Sequence, residues 1–223
     1  MKRSWHKPVV IFGNVGRAKL VAWQFQNEGF EVAAFTVNKK YITGPTFYDK
    51  PQIPFEQLTE LYPPEEFDFY AAIGAMHMNT LRYDIYSQAI NMGYQTSSLV
   101  SSKAIVFEGF SIPKHCRIGD GSIIQPFVQL GDNTVVAGGV LISHDTVVGD
   151  NTFIAAGAVI GGGVTIQKNC FIGTGAVVRS KLVLGEKTIV GAGVTLLEST
   201  LPGSVYMNTS AQKLPISSDS ITF

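Results

Sequence analysis

The chain is poor in the residues that most often carry covalent or metal chemistry. Its 223 residues include two cysteines, Cys116 and Cys170, and four histidines. Two cysteines give no disulfide framework of the kind small secreted domains use. The histidines show no metal-ligand spacing, so no metal site is expected. Neither charge is in excess: 17 Lys and Arg balance 17 Asp and Glu. A nucleic-acid footprint would need a basic surplus, and none is expected. No apolar run is long enough to span a bilayer. After the basic start MKRSWHK, "PVVIFGNVGR" is too short for a signal-peptide core. The protein is therefore read as cytoplasmic.

Glycine is plentiful, at 23 residues, and the chain has two halves with different grammars. In the first, "PVVIFG" reads as a buried strand ending at Gly13. "RAKLVAWQFQNEGF" reads as a helix, with apolar residues three and four apart and a glycine near its end. "EVAAFTV" and "DFYAAIG" read as two more strands, the latter ending at Gly74, and "TLRYDIYSQAINMGY" as another helix. This alternation predicts an α/β unit over 1–102, a Rossmann-like small parallel sheet with crossover helices.

From Val106 a branched aliphatic residue falls at every sixth position: Ile112, Ile118, Ile124, Leu130, Val136, Ile142, Val148, Ile154 and onward without a break to Leu196. A period of six suits neither a helix nor a hairpin sheet. It is the signature of a parallel β-helix over 103–223, with three hexads, about 18 residues, closing each triangular coil. Three positions after the aliphatic residues come Gly121, Asn133, Gly139, Asp145, Asn151, Gly157 and their successors, which tolerate the left-handed backbone a corner needs. Phe127, Lys181 and Lys187 break that rule and are expected as strained or exposed corners. Cys116 and Cys170 fall on one column, roughly 14 Å apart at about 4.8 Å per coil, too far to bridge. Packing is the expected role of both.

The same register places His144 at a corner, facing outward. One coil above it is Gly162, the middle of "GGG". A base stacked on a backbone with no side chain suits acyl transfer. The base takes a proton from the attacking amine or hydroxyl, and the open N–H steadies the oxyanion. Asp145 is positioned to hold the imidazole and raise its basicity. A neighbouring column, Ala156, Thr174 and Ala192, is small enough to form a shallow channel. The third column, Asp150, Lys168 and Glu186, is polar. A lone histidine at such a corner is more often a solvated turn residue; its stacking on Gly162 favours the catalytic reading. His6 is expected to lack fixed structure, His115 to be structural, and His77 to be of some interest because it follows a strand end. No loop interrupts the repeat, so one smooth prism offers a groove but no deep pocket. Self-association around an axis is expected, as a trimer.

"FGNVGRAKLV", then "AAIGAMHMNTLR", then a hexapeptide helix containing "SHDTVVGDN" resembles the NeuD/PglD-type sugar acyltransferases over nearly the whole chain. The resemblance implies a left-handed β-helix and an acetyl-CoA-dependent enzyme of surface-polysaccharide synthesis. It would act on a nucleotide-linked amino sugar as a homotrimer with sites between subunits. It makes His144 the general base, Asp145 its partner and Gly162 the thioester contact, with Thr174 and Ala192 meeting acetyl-CoA. Nucleotide-sugar contacts fall on Val15, Gly16 and Arg17, on Val37 and Asn38, and on Gly74. These are the strand ends of a parallel sheet, where phosphates and sugars bind, and Arg17 adds charge for a diphosphate.

Three departures qualify this. Where relatives carry a second histidine contacting acetyl-CoA, this chain has Phe153, so that cofactor contact loses a hydrogen bond or becomes packing. Val37 and Asn38 replace paired acids of the bacillosamine-pathway enzyme, leaving nucleotide and sugar open. The "G-x-P-A-K" tail reads "NTSAQK" here, 208–213, with Arg179, Lys181 and Lys213 as possible phosphate partners. N-acetylation is the leading expectation. O-acetylation of a sugar hydroxyl, and a noncatalytic sugar-nucleotide-binding or assembly protein on this scaffold, are the alternatives.

Overall fold

The computed structural model describes residues 7–209. His6, Lys213 and the rest of the tail beyond Thr209 lie outside the described residues.

The N-terminal part contains β1 (Val9–Phe12), α1 (Gly16–Asn27), β2 (Val32–Val37), β3 (Thr46–Phe47), β4 (Lys50–Pro54), α2 (Leu58–Leu61), β5 (Asp68–Ala71) and α3 (Thr80–Asn91). The sheet runs β3-β4-β2-β1-β5, parallel except for the short β3 against β4. Both faces are covered, which is why its strands read as unbroken apolar runs. Ala18, Val21, Ala22 and Phe25 of α1 pack on Val9, Ile11, Val32 and Phe35. Ile85 and Ala89 of α3, with Phe55 and Leu58, cover Val10, Ala34 and Phe69. The pattern reading anticipated β1, β2, β5, α1 and α3. It missed β4, because the prolines of "KPQIP" mask a strand at that edge.

Beyond residue 98 the chain winds into a three-walled prism. One wall has seven two-residue strands, from Leu99–Val100 through Arg117–Ile118, Val135–Val136, Phe153–Ile154, Phe171–Ile172 and Ile189–Val190 to Val205–Tyr206. A second has six, from Ile105–Val106 to Thr195–Leu196, and the third has four, from Gln129–Leu130 to Val183–Leu184. All pair in parallel, each strand with the one a full coil away, as Val135 does with Phe153. The sixth-position residues point inward: Ile118, Ile142, Ile154, Ile160, Ile172 and Val190 are fully buried. Each such side chain contributes about 1.5–3 kcal/mol of burial. Ile112 is the exception. It is 53% exposed and lies in no strand, because its wall begins at Gln129 and no coil beneath closes over it.

The corners are left-handed where expected, with Asn133, Asp145, Asn151 and Asn169 at φ between 55° and 60°. Phe127, Lys181 and Lys187 take the same conformation at 66°, 64° and 59°, and Phe127 is 69% exposed. Cys116 and Cys170 are free and fully buried, and burial pushes their thiols up to about 12 and about 11. They are packing residues, not nucleophiles.

The N-terminal part lies against the seven-stranded wall. Outward residues of that wall are therefore buried, among them Leu99, Arg117, Val135 and Phe153. A buried polar network ties the two parts together. Arg82 of α3, with no exposed surface, donates from Nε to Asn133 Oδ1 (3.0 Å), from Nη1 to Asn79 Oδ1 (3.0 Å), and from Nη2 to the carbonyls of Asn133 (2.9 Å) and Asn151 (3.1 Å). Its acceptors are all neutral, and burial lowers its pKa to about 10, so it stays charged near neutrality. His115 sits between the rings of Tyr70 and Tyr86. Its Nε2 accepts the Ala71 N–H at 2.8 Å, which leaves Nδ1–H to donate to Asn133 Oδ1 at 2.7 Å. Burial, the dominant cause, drives its pKa down to about 3. His115 is thus a neutral structural residue at a left-handed corner (φ 53°), as expected from its position.

Candidate active site

Three features are candidates for chemistry, two at corners of the prism and one at the strand ends of the N-terminal sheet.

The first is the corner between the six-stranded and four-stranded walls. Asp145 adopts φ 59°, which turns its carboxylate back toward the preceding side chain. The His144 Nδ1–H donates to Asp145 Oδ2 at 2.8 Å, leaving the Nε2 lone pair free. Gln125 Oε1 accepts the His144 N–H at 3.0 Å and fixes the backbone beneath the ring. One coil up is Gly162. A Cβ built there would lie 2.8 Å from His144 Nε2 and 2.9 Å from Cε1, so the imidazole occupies the space that any side chain would need. On either side, the Gly161 and Gly163 N–H groups donate to Val178 and His144 carbonyls. Among the described residues the Gly162 N–H has no acceptor. The pair is open to solvent, with 63% of the His144 side chain and 61% of Asp145 exposed.

The second is a cleft of about 980 Å³ at the carboxyl ends of β1, β2 and β5. Val15, Arg17, Val37, Asn38 and Gly74 line it, and Gly16 opens α1 beside it. Arg17 crosses Gly74, where a Cβ would come within 3.2 Å of its Nε. The lining contains Arg17 and Lys40 but no carboxylate, so the cleft suits an anion. Sequence reasoning missed Asn14, Lys40, Tyr41 and Thr43. Asn14 Nδ2 donates to the Tyr41 carbonyl at 2.7 Å, clasping the two loops together. The signal was present: a basic and aromatic run, "KKY", begins two positions after the last residue of β2. His77 is exposed on a turn of three successive left-handed residues, 77–79, and does not line the cleft.

The third is the corner between the seven-stranded and six-stranded walls. Ala156, Thr174 and Ala192 are all exposed there and form a ledge of small side chains. The remaining corner holds Asp132, Asp150, Lys168 and Glu186, facing Tyr83 and Tyr86 of α3 across a separate cavity of about 500 Å³. Phe153 is on neither exposed corner. It is 5% exposed and packed with Val135, Ala155 and Ala75, its ring stacked on Phe171 at 5.8 Å. Within one chain, then, the His144 corner, the small-residue ledge and the cleft do not meet. The ledge and the histidine edge opposite sides of the six-stranded wall, and the cleft overlies the wall farthest from His144.

This combination, a hexapeptide prism behind a strand-end cleft, is the architecture of left-handed β-helix acetyltransferases. Residues 111–180 match the bacterial transferase hexapeptide family in three overlapping segments, and 163–198 match the hexapeptide repeat of succinyl-transferase. The NeuD/PglD-type resemblance is borne out by the solved structures. The acetyltransferase domain of PglB from Neisseria gonorrhoeae is 25% identical, with a TM-score of 0.81 over 90% of this chain and 96% of that one. PerB from Caulobacter crescentus, solved with CoA and GDP-perosamine, is 24% identical, with a TM-score of 0.70 over 89% and 92%. WeeI from Acinetobacter baumannii shares the fold at 22% identity and a TM-score of 0.52, over 89% and 95%. No curated protein sequence matches the chain. No described helix is long and apolar enough to cross a membrane.

Proposed function

We propose that the protein is an acetyl-CoA-dependent acyltransferase that N-acetylates the amino group of a nucleotide-linked sugar. One observation carries the reading: His144, oriented by Asp145, lies against Gly162 with Nε2 unengaged. The acceptor amine, neutral when it attacks, gives its proton to Nε2 as its nitrogen bonds to the thioester carbon. The Asp145 carboxylate stabilises the imidazolium that forms. The unpaired Gly162 N–H is a donor for the oxyanion. CoA leaves as the thiol once the proton is returned to its sulfur. Thr174 and Ala192 would flank the pantetheine arm, and Arg17, Asn38, Val15, Gly16, Val37 and Gly74 would hold the acceptor. PerB, solved with CoA and GDP-perosamine, is a relative in fold with both co-substrate classes in one structure.

The separation of the three features supports sites built between subunits of a trimer. Ile105, Ile123, Val159 and Val177 form an outward aliphatic ladder on the six-stranded wall, between 37% and 65% exposed. A second prism on that side would cover it and bring a ledge to a neighbour's histidine. Mixed trimers test this. Chains carrying His144→Ala, mixed with chains carrying Arg17→Gln, should show more activity at low acceptor concentration than either variant shows alone. The reaction is tested by mass spectrometry of products from UDP-, dTDP- and GDP-linked amino sugars with acetyl-CoA. N-acetylated product is expected. An ester on a hydroxyl would mean O-acetylation. No product and no acetyl-CoA binding at millimolar concentration would leave a noncatalytic binding protein.

A further inference from the structure

Phe153 belongs to the prism, yet its ring is shared by two arginines of the N-terminal part. The Cζ of Arg82 is 5.8 Å from the ring centroid and that of Arg17 is 5.1 Å. The two guanidinium groups differ in what else they do. Arg82 is fully committed to Asn79, Asn133, Asn151 and the Gly74 carbonyl. Arg17 is partly exposed and has no hydrogen bond or ion pair to a described residue. It touches the Phe153 face, passes over Gly74 and lines the carboxylate-free cleft. Ring faces attract guanidinium groups without using their N–H donors, so a stacked arginine is held in place with its fork still available. Phe171, stacked above at 26° between ring planes, keeps Phe153 from turning away.

We propose that Phe153 is a positioning residue for the acceptor, its ring holding the Arg17 guanidinium at the cleft wall so that the N–H fork faces the diphosphate of the nucleotide sugar. This rests on the nucleotide-sugar reading above. It gives the aromatic residue at this coil a task toward the acceptor and none toward the cofactor. It also makes one contact span both parts of the chain, from the prism to the strand-end cleft.

The test is calorimetric titration of GDP, UDP and dTDP into the full chain, with KM for acetyl-CoA measured in parallel. Take the diphosphate that binds best. Phe153→Leu should weaken it about 3- to 30-fold, the range a partly desolvated cation–π contact covers, and leave KM for acetyl-CoA unchanged. Phe153→Tyr, which keeps the ring, should bind like the parent and shows that the position tolerates substitution. Arg17→Gln should weaken binding at least as much as Phe153→Leu, and adding Phe153→Leu to it should cost little more. Additive losses, or a Phe153→Leu chain with raised acetyl-CoA KM and unaltered diphosphate affinity, would overturn the proposal alone. A parent chain that binds none of the three at millimolar concentration would overturn it together with the acceptor reading.

Discussion

His115 and His144 both belong to corners of the prism, one beneath the N-terminal part and one on an open edge. Their environments are opposite. His115 is sealed between two tyrosines, neutral, with both ring nitrogens engaged. His144 has one nitrogen engaged by a carboxylate and the other free in solvent-facing space. His115 is itself the left-handed residue of its corner (φ 53°), and His144 directly precedes the left-handed residue of its own, Asp145 (φ 59°). Their surroundings differ too: α3 and β5 pack over one, and no described residue covers the other. Burial turns a histidine into a hydrogen-bonding spacer, and exposure beside an aspartate leaves a nitrogen free for the base role proposed above.

The largest effects should separate the two. His144→Ala should lower kcat by about 10²–10⁴-fold, the usual range for loss of a general base. Its stability should stay within about 0.5 kcal/mol of the parent, since the side chain is mostly exposed. His115→Ala should do the reverse. It leaves the Ala71 N–H and part of Asn133 without partners and opens a void between Tyr70 and Tyr86, for a loss of about 3 kcal/mol in denaturant unfolding. Activity per folded molecule should be retained. Comparable kcat losses in both variants would erase the distinction.

A pH series sharpens it further. The His115 pKa is about 3 when folded, against 6.5 for the free side chain. Between those values the unfolded chain holds a proton that the folded chain refuses. Stability from this group is therefore complete above about pH 6.5 and declines as pH falls toward 3, by about 1.4 kcal/mol per unit. Unfolding at pH 7 and pH 5 should differ by roughly 2 kcal/mol more in the parent than in His115→Gln. Equal differences would mean that the imidazole is not sealed as described.

The two regions also differ in how far the sequence foretold them. The prism was legible because its period repeats at every coil, and the left-handed corners at Asn133, Asp145 and Asn151 follow from the same count. The stack of His144 on Gly162 was legible for that reason alone: adding one coil is arithmetic. Arg82 was not. It lies in an amphipathic helix whose pattern says only that one side is covered, and its acceptors come from two coils of the prism and the turn before α3. Lys40 and Tyr41 stood in a visible basic and aromatic run, but the sequence did not show what they would face, since a loop's partners depend on which strand ends adjoin it. Periodicity reports contacts at fixed offsets, and the junction has none.

Gly162→Ala should lower kcat by about 10²-fold with little loss of stability. The cause is steric, because the methyl group would need the space in which the imidazole lies, and a displacement of about 1 Å at a reacting group has that order of cost. The N–H is retained in this variant, so the loss measures the seating of the base separately from oxyanion stabilisation. A variant with near-parent kcat would show that the ring can move aside without consequence.

The smallest expected effect, from Asp145→Asn, addresses whether the open corner stays open during catalysis. Asparagine tolerates the left-handed backbone and can still accept the Nδ1–H through its amide oxygen, so geometry and stability should persist. Only the charge is lost. For a pair as exposed as this one, the charge is worth at most about 1 kcal/mol, or roughly fivefold in kcat. If a second prism covers the corner in the working trimer, the local dielectric falls and the same charge matters more. We expect a loss of about tenfold or more in kcat of the intact trimer. A loss that stays near fivefold in the intact assembly would mean that the corner remains wet, and that the catalytic pair works without the cover the trimer is proposed to supply.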